Sequence, residues 1–292
     1  MSVAPSFVLP VDKPVGPTSH DVVARARRAL GTRRIGHTGT LDPFASGLLL
    51  LCVGHATRIA EYLTDLPKTY LATARLDGRT LTDDNTSEVI ERSDAWRSLS
   101  VEQVAAALHK QVGEILQLPP QYSAKKVAGE RAYQIARRGD VAILQPAAVQ
   151  VYGIALLRAE LPEIEFEVHC SSGTYIRAMA RDLGNALGTG GYLSQLRRTQ
   201  IGGHAVERAV VLDDLGDAES VRRAAIKPVQ ALGHLPAVLL NEEQEHAIRY
   251  GQAVAQDGPS LPAVLLVRDD RLIAIARAEE GRLKPQKVFV DA

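Results

Sequence analysis

Arg34-Ile-Gly-His-Thr-Gly-Thr-Leu-Asp-Pro-Phe-Ala-Ser-Gly47, running directly into Leu48-Leu-Leu-Leu-Cys-Val53, is the stretch from which the rest of the chain can be read. Glycines at 36, 39 and 47 and a proline at 43 mark a loop that can turn sharply or let a ligand approach the backbone. The apolar run after it has the pattern of a buried strand. Loops held between rigid elements are where reactive groups collect. From Gly36 to Gly47 the titratable residues are His37 and Asp42. On spacing alone, Asp42 reads as an Asx–Pro turn, a cap for Phe44 onward, or a catalytic group, and His37 as structural or catalytic.

Upstream, Phe7 to Val11 reads as a short strand in which Pro10 implies an edge or a bulge. Thr18 and Ser19 can cap a helix that carries the apolar stripe Val22, Val23, Ala26 and Leu30 and stops at Gly31. Downstream, Thr57–Leu66 reads as helix, Thr69–Leu76 as strand, and Asp77–Ser87 as a polar loop. Ser100 and Gln103 form a capping box for a helix over Val101–Val112. Leu118-Pro-Pro120 breaks the pattern, and Gly129–Arg138 is a basic helix or hairpin arm. Val149–Leu157 and Ile164–Cys170 pair around a turn at Pro162, Tyr175–Leu187 is helical up to Gly188, and Tyr192–Ile201 is extended. There is no regular βαβ rhythm. The expected class is α+β, with a mixed, largely antiparallel central sheet flanked by helices.

Beyond Leu235 the pattern changes, which divides the chain into 1–234 and 235–292. The second part reads as a helix over Asn241–Arg249, a hairpin of Val264–Val267 and Leu272–Ala276 around Asp269-Asp270, and a last strand at Val288–Val290. A module this small is expected to dock on the larger part.

At 292 residues and 46% hydrophobic, the chain can bury a core without staples, which excludes disorder for most of it. Cys52 and Cys170 each sit in apolar runs and make neither a disulfide framework nor a zinc motif. No segment has the roughly 18 to 20 apolar residues of a membrane span, and Met1 to Phe7 has no leader pattern, so the cytoplasm is expected. Lys+Arg and Asp+Glu both total 34, but the distribution is uneven. Arg25, Arg27, Arg28, Arg33 and Arg34 form one basic group, and Lys125, Lys126, Arg131, Arg137 and Arg138 another. Acids gather at Asp83-Asp84 and Asp213–Glu219. The basic groups are either solvated helix faces or a face for a polyanion, which needs local rather than average charge. Phosphate-loop, dinucleotide, zinc-protease and serine-hydrolase motifs are all missing.

The loop at Gly36–Pro43, with Asp12-Lys-Pro14 and Thr18-Ser19 before it, resembles the TruB family of tRNA pseudouridine-55 synthases. So do Lys68-x-Tyr70, Pro119-Pro-x-Tyr-Ser-Ala-x-Lys126, Gly129-x-Arg-Ala-Tyr133 and Ala136-Arg-x-Gly139. Further along, Cys170-Ser-x-Gly-Thr-Tyr-Ile-Arg177, Ala180-Arg-Asp-Leu-Gly184 and Leu196-Arg-Arg-Thr199 match in order. The tail resembles the PUA-like domain of bacterial members.

The resemblance implies a pseudouridine synthase-like fold, isomerisation of a T-loop uridine in tRNA, and no cofactor or metal. It makes Asp42 the catalytic aspartate, Arg177 its partner and Tyr70 the active-site tyrosine. It gives Tyr175 and Leu196 to the uracil pocket, His37 to the space left by a flipped base, and Lys13 and Asp84 to substrate and RNA contacts. Lys126 and Arg131 fall in an RNA-binding thumb around residues 117–145. A monomer binding the tRNA T stem-loop, with no membrane and no obligate protein partner, is expected. The rival is a T-arm RNA chaperone in which catalysis is secondary. Asp77, Leu81, Ser87 and Ser172 depart from the family pattern, and Pro10 is uncommon in it.

Overall fold

The computed structural model describes residues 6–123, 125–127 and 129–289. Its centre is a ten-stranded mixed sheet. Four early strands, β1 (Phe7–Lys13), β2 (Ile35–His37), β3 (Ser46–Val53) and β4 (Lys68–Arg75), carry or adjoin the candidate site. Across the sheet the order is Val210–Val211, β1, β3, Tyr192–Ile201, β4, Glu163–Cys170, Ala147–Glu160 and Gly113–Gln117. β2 pairs with β3, and His204–Ala205 pairs with Tyr192–Ile201. Among the described residues of this sheet, only the pairings of β1 with Val210–Val211 and of β3 with Tyr192–Ile201 are parallel, so it is largely antiparallel.

The apolar run of β3 is buried on both faces. Leu49, Leu51 and Val53 pack with Val22, Val23 and Ala26 of helix α1 (Ser19–Ala29). Leu48, Leu50 and Cys52 pack into a core shared with Ala263, Leu265, Val267, Ile275 and Phe289 of the tail. The tail is therefore one wall of the main core. Its five-stranded sheet runs Ala237–Leu239, Leu261–Arg268, Arg271–Glu279, Arg282–Val288, Val254–Ala255. The hairpin turn puts both Asp269 and Asp270 at positive φ, as a tight primed turn requires. Arg58 Nη1 donates to Val288 O (2.6 Å), and Lys287 Nζ to Arg58 O (2.7 Å), across the junction.

Local signals hold well. Thr18 caps α1 with a reciprocal bond to Asp21, and Gly188 ends helix Ile176–Leu187 in the left-handed conformation. Other expectations change. Pro10 sits in a β1 that pairs with β3 along its whole length, not at a bulge. On its other flank β1 meets Ile226 at Val8 and Val210 at Val11, and Pro10 falls in the gap between them. The helix expected to Val112 ends at His109, and Thr57–Leu66 splits into a 3-10 turn, Gly54–Ile59, and a short helix, Ala60–Thr64. The basic arm is both things at once: a small hairpin (Lys126–Val127 with Glu130–Arg131) followed by helix Ala132–Arg137. The last strand is Arg282–Val288, earlier than expected, because Arg-Leu-Lys-Pro-Gln-Lys-Val has one fully buried residue, Leu283, and little apolar signal. Val290 lies outside the described residues.

Candidate active site

β3 begins where the glycine loop ends, and it can begin there only because residue 47 has no side chain. A Cβ on Gly47 (φ +104°) would stand 2.2 Å from the Arg198 carbonyl oxygen of the adjoining strand. That close approach brings the loop up against Tyr192–Ile201. Arg198, buried in the contact, donates from Nε to Leu48 O (2.7 Å) and from Nη2 to Gly39 O (3.1 Å). Ser19 locks the other side: its hydroxyl donates to Leu41 O (3.1 Å) and accepts from Leu41 N–H (2.8 Å). Asp42 is thus held by its neighbours on both sides. It does form the Asp–Pro turn, with Ala45 N–H donating to its carbonyl, and this leaves the carboxylate free to point into the cleft.

There it meets Arg177, whose Nε lies 3.0 Å from Asp42 Oδ2. The guanidinium is buried and almost fully engaged. Nη1 donates to Thr82 O (2.7 Å) and lies 3.5 Å from Asp84 Oδ2, and Nη2 donates to Tyr122 O (2.9 Å). A planar fork with this many fixed partners cannot swing away from the carboxylate. Burial raises the Asp42 pKa above the ordinary carboxylate value, and the negative charge of Asp84 adds to the rise, while the Arg177 and Lys13 cations oppose it.

Asp42, Tyr70, Tyr175, Arg177 and Leu196 line one slot of about 280 Å³, close to the lower end of the roughly 300–1,000 Å³ usual for ligand pockets. Tyr70 is raised by burial, with the nearby Arg198 working against the rise, so its hydroxyl stays protonated at neutral pH. Tyr175 is set by Gln117, which accepts from its N–H (2.8 Å) and donates to its carbonyl (3.0 Å). A flat ring in this slot would lie between aromatic and aliphatic walls with a carboxylate at its edge, an arrangement suited to nucleophilic or basic attack away from bulk water.

The slot opens into a wider groove of about 720 Å³, lined by His20, His37, Arg131, Tyr133 and Arg137 together with Asp42 and Arg177. His37 has a pKa lowered by burial, with His20 and Arg198 adding to the effect, and Gly39 N–H donates to its Nδ1 (3.4 Å). Its proton is therefore on Nε2.

Lys13 and Asp84, expected at substrate and RNA contacts, are both buried. Lys13 is fully buried, and its Nζ donates to Pro14 O and Pro17 O (2.9 Å each), so it ties down the turn before α1. Its pKa is pushed down to about 8 by burial, against the pull of Asp42. Asp84 is buried behind Arg177 and accepts from Thr82 Oγ1 (2.6 Å), Thr86 N–H (2.9 Å) and the Thr86 hydroxyl. Lys13 lines neither the slot nor the groove, whereas Asp84 lines the groove beside Arg177. Lys126 is exposed on the small hairpin and lines neither the slot nor the groove. The departures from the family pattern fit locally. Asp77 pairs with Arg75 (2.6 Å), the Ser87 and Thr82 hydroxyls are 3.0 Å apart, Leu81 is exposed, and Ser172 lines the slot.

Arg198, Lys68 and Gln117 went unassigned from sequence, although the first two lie in quoted motifs. Lys68 is buried, lines the slot and donates to Thr64 O and Leu66 O (2.6 Å each). The available signal was a cation inside a strand otherwise patterned for burial.

A family model described as TruB family pseudouridylate synthase (N terminal domain) matches residues 27–176, and one described as tRNA pseudouridylate synthase B C-terminal domain matches 177–233. The chain is 42% identical to the tRNA pseudouridine synthase B of Burkholderia lata, covering 98% of this chain and 90% of that protein. It is also 42% identical to the protein of the same name from Thermobifida fusca, covering 97% and 98%. A solved chain from an H/ACA RNP bound to a substrate RNA containing 2′-deoxyuridine superposes with a TM-score of 0.75 at 27% identity, covering 98% of this chain and 86% of that one. A chain of an archaeal box H/ACA sRNP Nop10-Cbf5 complex gives 0.74 at 26%, covering 99% and 88%.

Proposed function

Because this chain belongs to the TruB family of pseudouridylate synthases, we propose that it isomerises uridine 55 in the T-loop of tRNA, with Asp42 as the group that attacks. The coarser activity, formation of pseudouridine in tRNA, is that of its relatives and of this chain. The observation that carries the residue roles is the Asp42–Arg177 pair at 3.0 Å, facing a slot walled by Tyr70, Tyr175 and Leu196.

The reaction breaks the bond from uracil N1 to ribose C1′ and rejoins the same base through C5. Atoms balance without an oxidant, an energy donor or a second substrate. Asp42 as carboxylate attacks C1′, adds to C6 of the ring, or takes a proton from C2′, and leaves when the new bond has formed. Arg177 keeps it ionised and aimed. Tyr70 stacks on the base and relays the C5 proton in the last step. The uridine must first leave the loop stack, at a cost of a few kcal/mol offset by contacts in the slot and along the phosphates. His37, neutral and at the lip, fills the vacated space as a wedge. Arg131 and its neighbours in the arm around residues 117–145 close on the stem by shape and phosphate contact. The tail from residue 235 is read as a PUA-like appendage. The protein is read as a cytoplasmic monomer needing no protein partner.

Asp42→Asn tests this reading, since it keeps the shape and removes the charge. Single-turnover pseudouridine formation in a T-arm transcript, with no additive, should fall by about 10⁴-fold or more while RNA affinity stays near wild type. A variant that still converts U55, or a wild type that grips and refolds the T-arm without converting it, overturns the assignment; the second outcome favours the chaperone.

A further inference from the structure

From Val22 to Leu41 the chain holds five arginines and no acid. Arg25 bonds to Asp213 (2.7 Å). For the other four, no carboxylate lies within 4.0 Å among the described residues. Several exposed arginines elsewhere are ion-paired, Arg138 with Glu130, Arg158 with Glu160 and Glu163, and Arg222 with Glu219, and those without a carboxylate among the described residues, such as Arg92, Arg208 and Arg277, are scattered singly along the chain. In a chain with zero formal net charge, this is a local excess of positive charge.

The excess is also ordered. Arg27 Nη2 donates to Ile35 O (2.9 Å) of β2. Arg34 Nε donates to the Thr57 hydroxyl (3.2 Å), and its Nη1 lies 3.3 Å from His55 Nδ1. These partners, none of them a carboxylate, fix the side chains without cancelling their charge, which lowers the entropy lost when they grip an anion. Arg28 and Arg33 are exposed beside them.

The patch is continuous with the cleft by two routes. Along α1, His20, Ala24, Arg27 and Arg28 fall at i, i+4, i+7 and i+8, on one helix face. His20 lines the groove at one end, its ring 6.4 Å from that of His37 and edge-on to it. Just before β2, Arg34 and Arg33 lie three and four residues ahead of His37, at most roughly 10 and 13 Å at about 3.3 Å per extended residue. Arg131 and Arg137 of the arm line the same groove as His20 and His37.

We infer that α1 and the segment leading into β2 form a second phosphate-binding track, in which Arg27, Arg28, Arg33 and Arg34 hold the tRNA strand where it leaves the cleft at His37. The inference rests on the reading of the protein as a tRNA pseudouridine synthase. It adds a surface to that reading, not a residue to the chemistry.

The test is Arg28→Gln/Arg33→Gln, because these two side chains make no bond within the protein and their loss should leave stability within about 0.5 kcal/mol. Binding of full-length tRNA should weaken about tenfold, and the slope of log affinity against log salt should shrink by about 1.5, as for two lost phosphate contacts. The single-turnover rate at saturating tRNA should not change. Arg28→Lys/Arg33→Lys should restore the slope. Arg92→Gln/Arg97→Gln removes the same charge from the strand and turn at Val89–Ser98 and should leave both affinity and slope near wild type. A wild-type slope in Arg28→Gln/Arg33→Gln, or an equal loss in the Arg92/Arg97 variant, overturns the track while wild-type conversion of tRNA still stands. A wild type that forms no pseudouridine overturns the functional reading itself.

Discussion

The walls of the cleft and the strands of the tail are both well buried, but with opposite chemistry. Strand Leu261–Arg268 buries Ala263, Leu265 and Val267 on the face toward the main sheet and Val264 and Leu266 on the other, all apolar. Around the cleft, Lys13, Lys68, Asp84, Gln117, Ser123, Arg177 and Arg198 are buried instead, whereas Glu245 is the one buried charge among the described tail residues, and it is met by Arg249 and Arg268. Every buried cation of the cleft needs carbonyls or carboxylates aimed at it, and a well-packed apolar group of the same size would often be no less stable. The tail is built to hold; the cleft wall is built to keep one carboxylate charged and aimed.

The largest effect that would sharpen this contrast is expected from Arg177→Gln. It strips Asp42 of its partner and leaves the carbonyls of Thr82 and Tyr122 without their donor, so single-turnover rate should fall on the order of 10³-fold. Chemical denaturation should also show a loss of about 3–5 kcal/mol, the usual result of breaking a buried pair. Next comes Leu265→Ala in the tail, expected to remove about 2–5 kcal/mol of unfolding free energy and leave the rate per folded molecule unaltered. If that variant loses rate without losing stability, the tail does more than hold, and the contrast breaks.

A smaller effect is read in the pH–rate profile. The Asp42 carboxyl titrates above its ordinary value, and the reaction needs it ionised, so rate should be lost as pH falls through that raised value, earlier than for a free aspartate near 3.9. Since Asp84 pushes Asp42 up, Asp84→Asn should move the acid limb to lower pH; Arg177→Gln should move it higher. The same shift has the opposite sign for stability. A carboxyl that binds its proton more tightly when folded favours the native state on the acid side and loses that contribution as pH rises through its folded pKa. Asp42→Asn should therefore not lower the melting temperature at neutral pH. The smallest effect belongs to the docking pair of half-buried Lys287 and exposed Glu61 (2.8 Å): Glu61→Gln should change stability by about 1 kcal/mol or less.

Much of the molecule was legible as local pattern. The Thr18 cap, the Ser100 capping box, the Gly188 stop, the Asp269-Asp270 hairpin and the burial of β3 each depend on residues a few positions apart, and each occurs. Asp42, Tyr70, Tyr175, Arg177 and Leu196 were singled out through motif resemblance, and they share one slot. The burial of Lys13 and Asp84 is not legible in the sequence, because a charged residue reads as exposed until the elements that cover it are known. Arg198 was passed over for the same reason. Strand Arg282–Val288 was misplaced since it joins the sheet by backbone bonds with little apolar signal of its own.

By itself, then, the amino-acid sequence determined where the chain turns, which helix and strand faces are apolar, and which reactive side chain stands in a loop flexible enough to present it. Tertiary structure alone decided which cation meets that side chain, which charges lie beneath it, and that the tail closes the core behind it. Caps, turns and alternation are settled by neighbours in sequence. The meeting of Asp42 with Arg177, and of Leu48 with Leu265, depends on which strands lie side by side, and a period of two along a strand does not encode its partner.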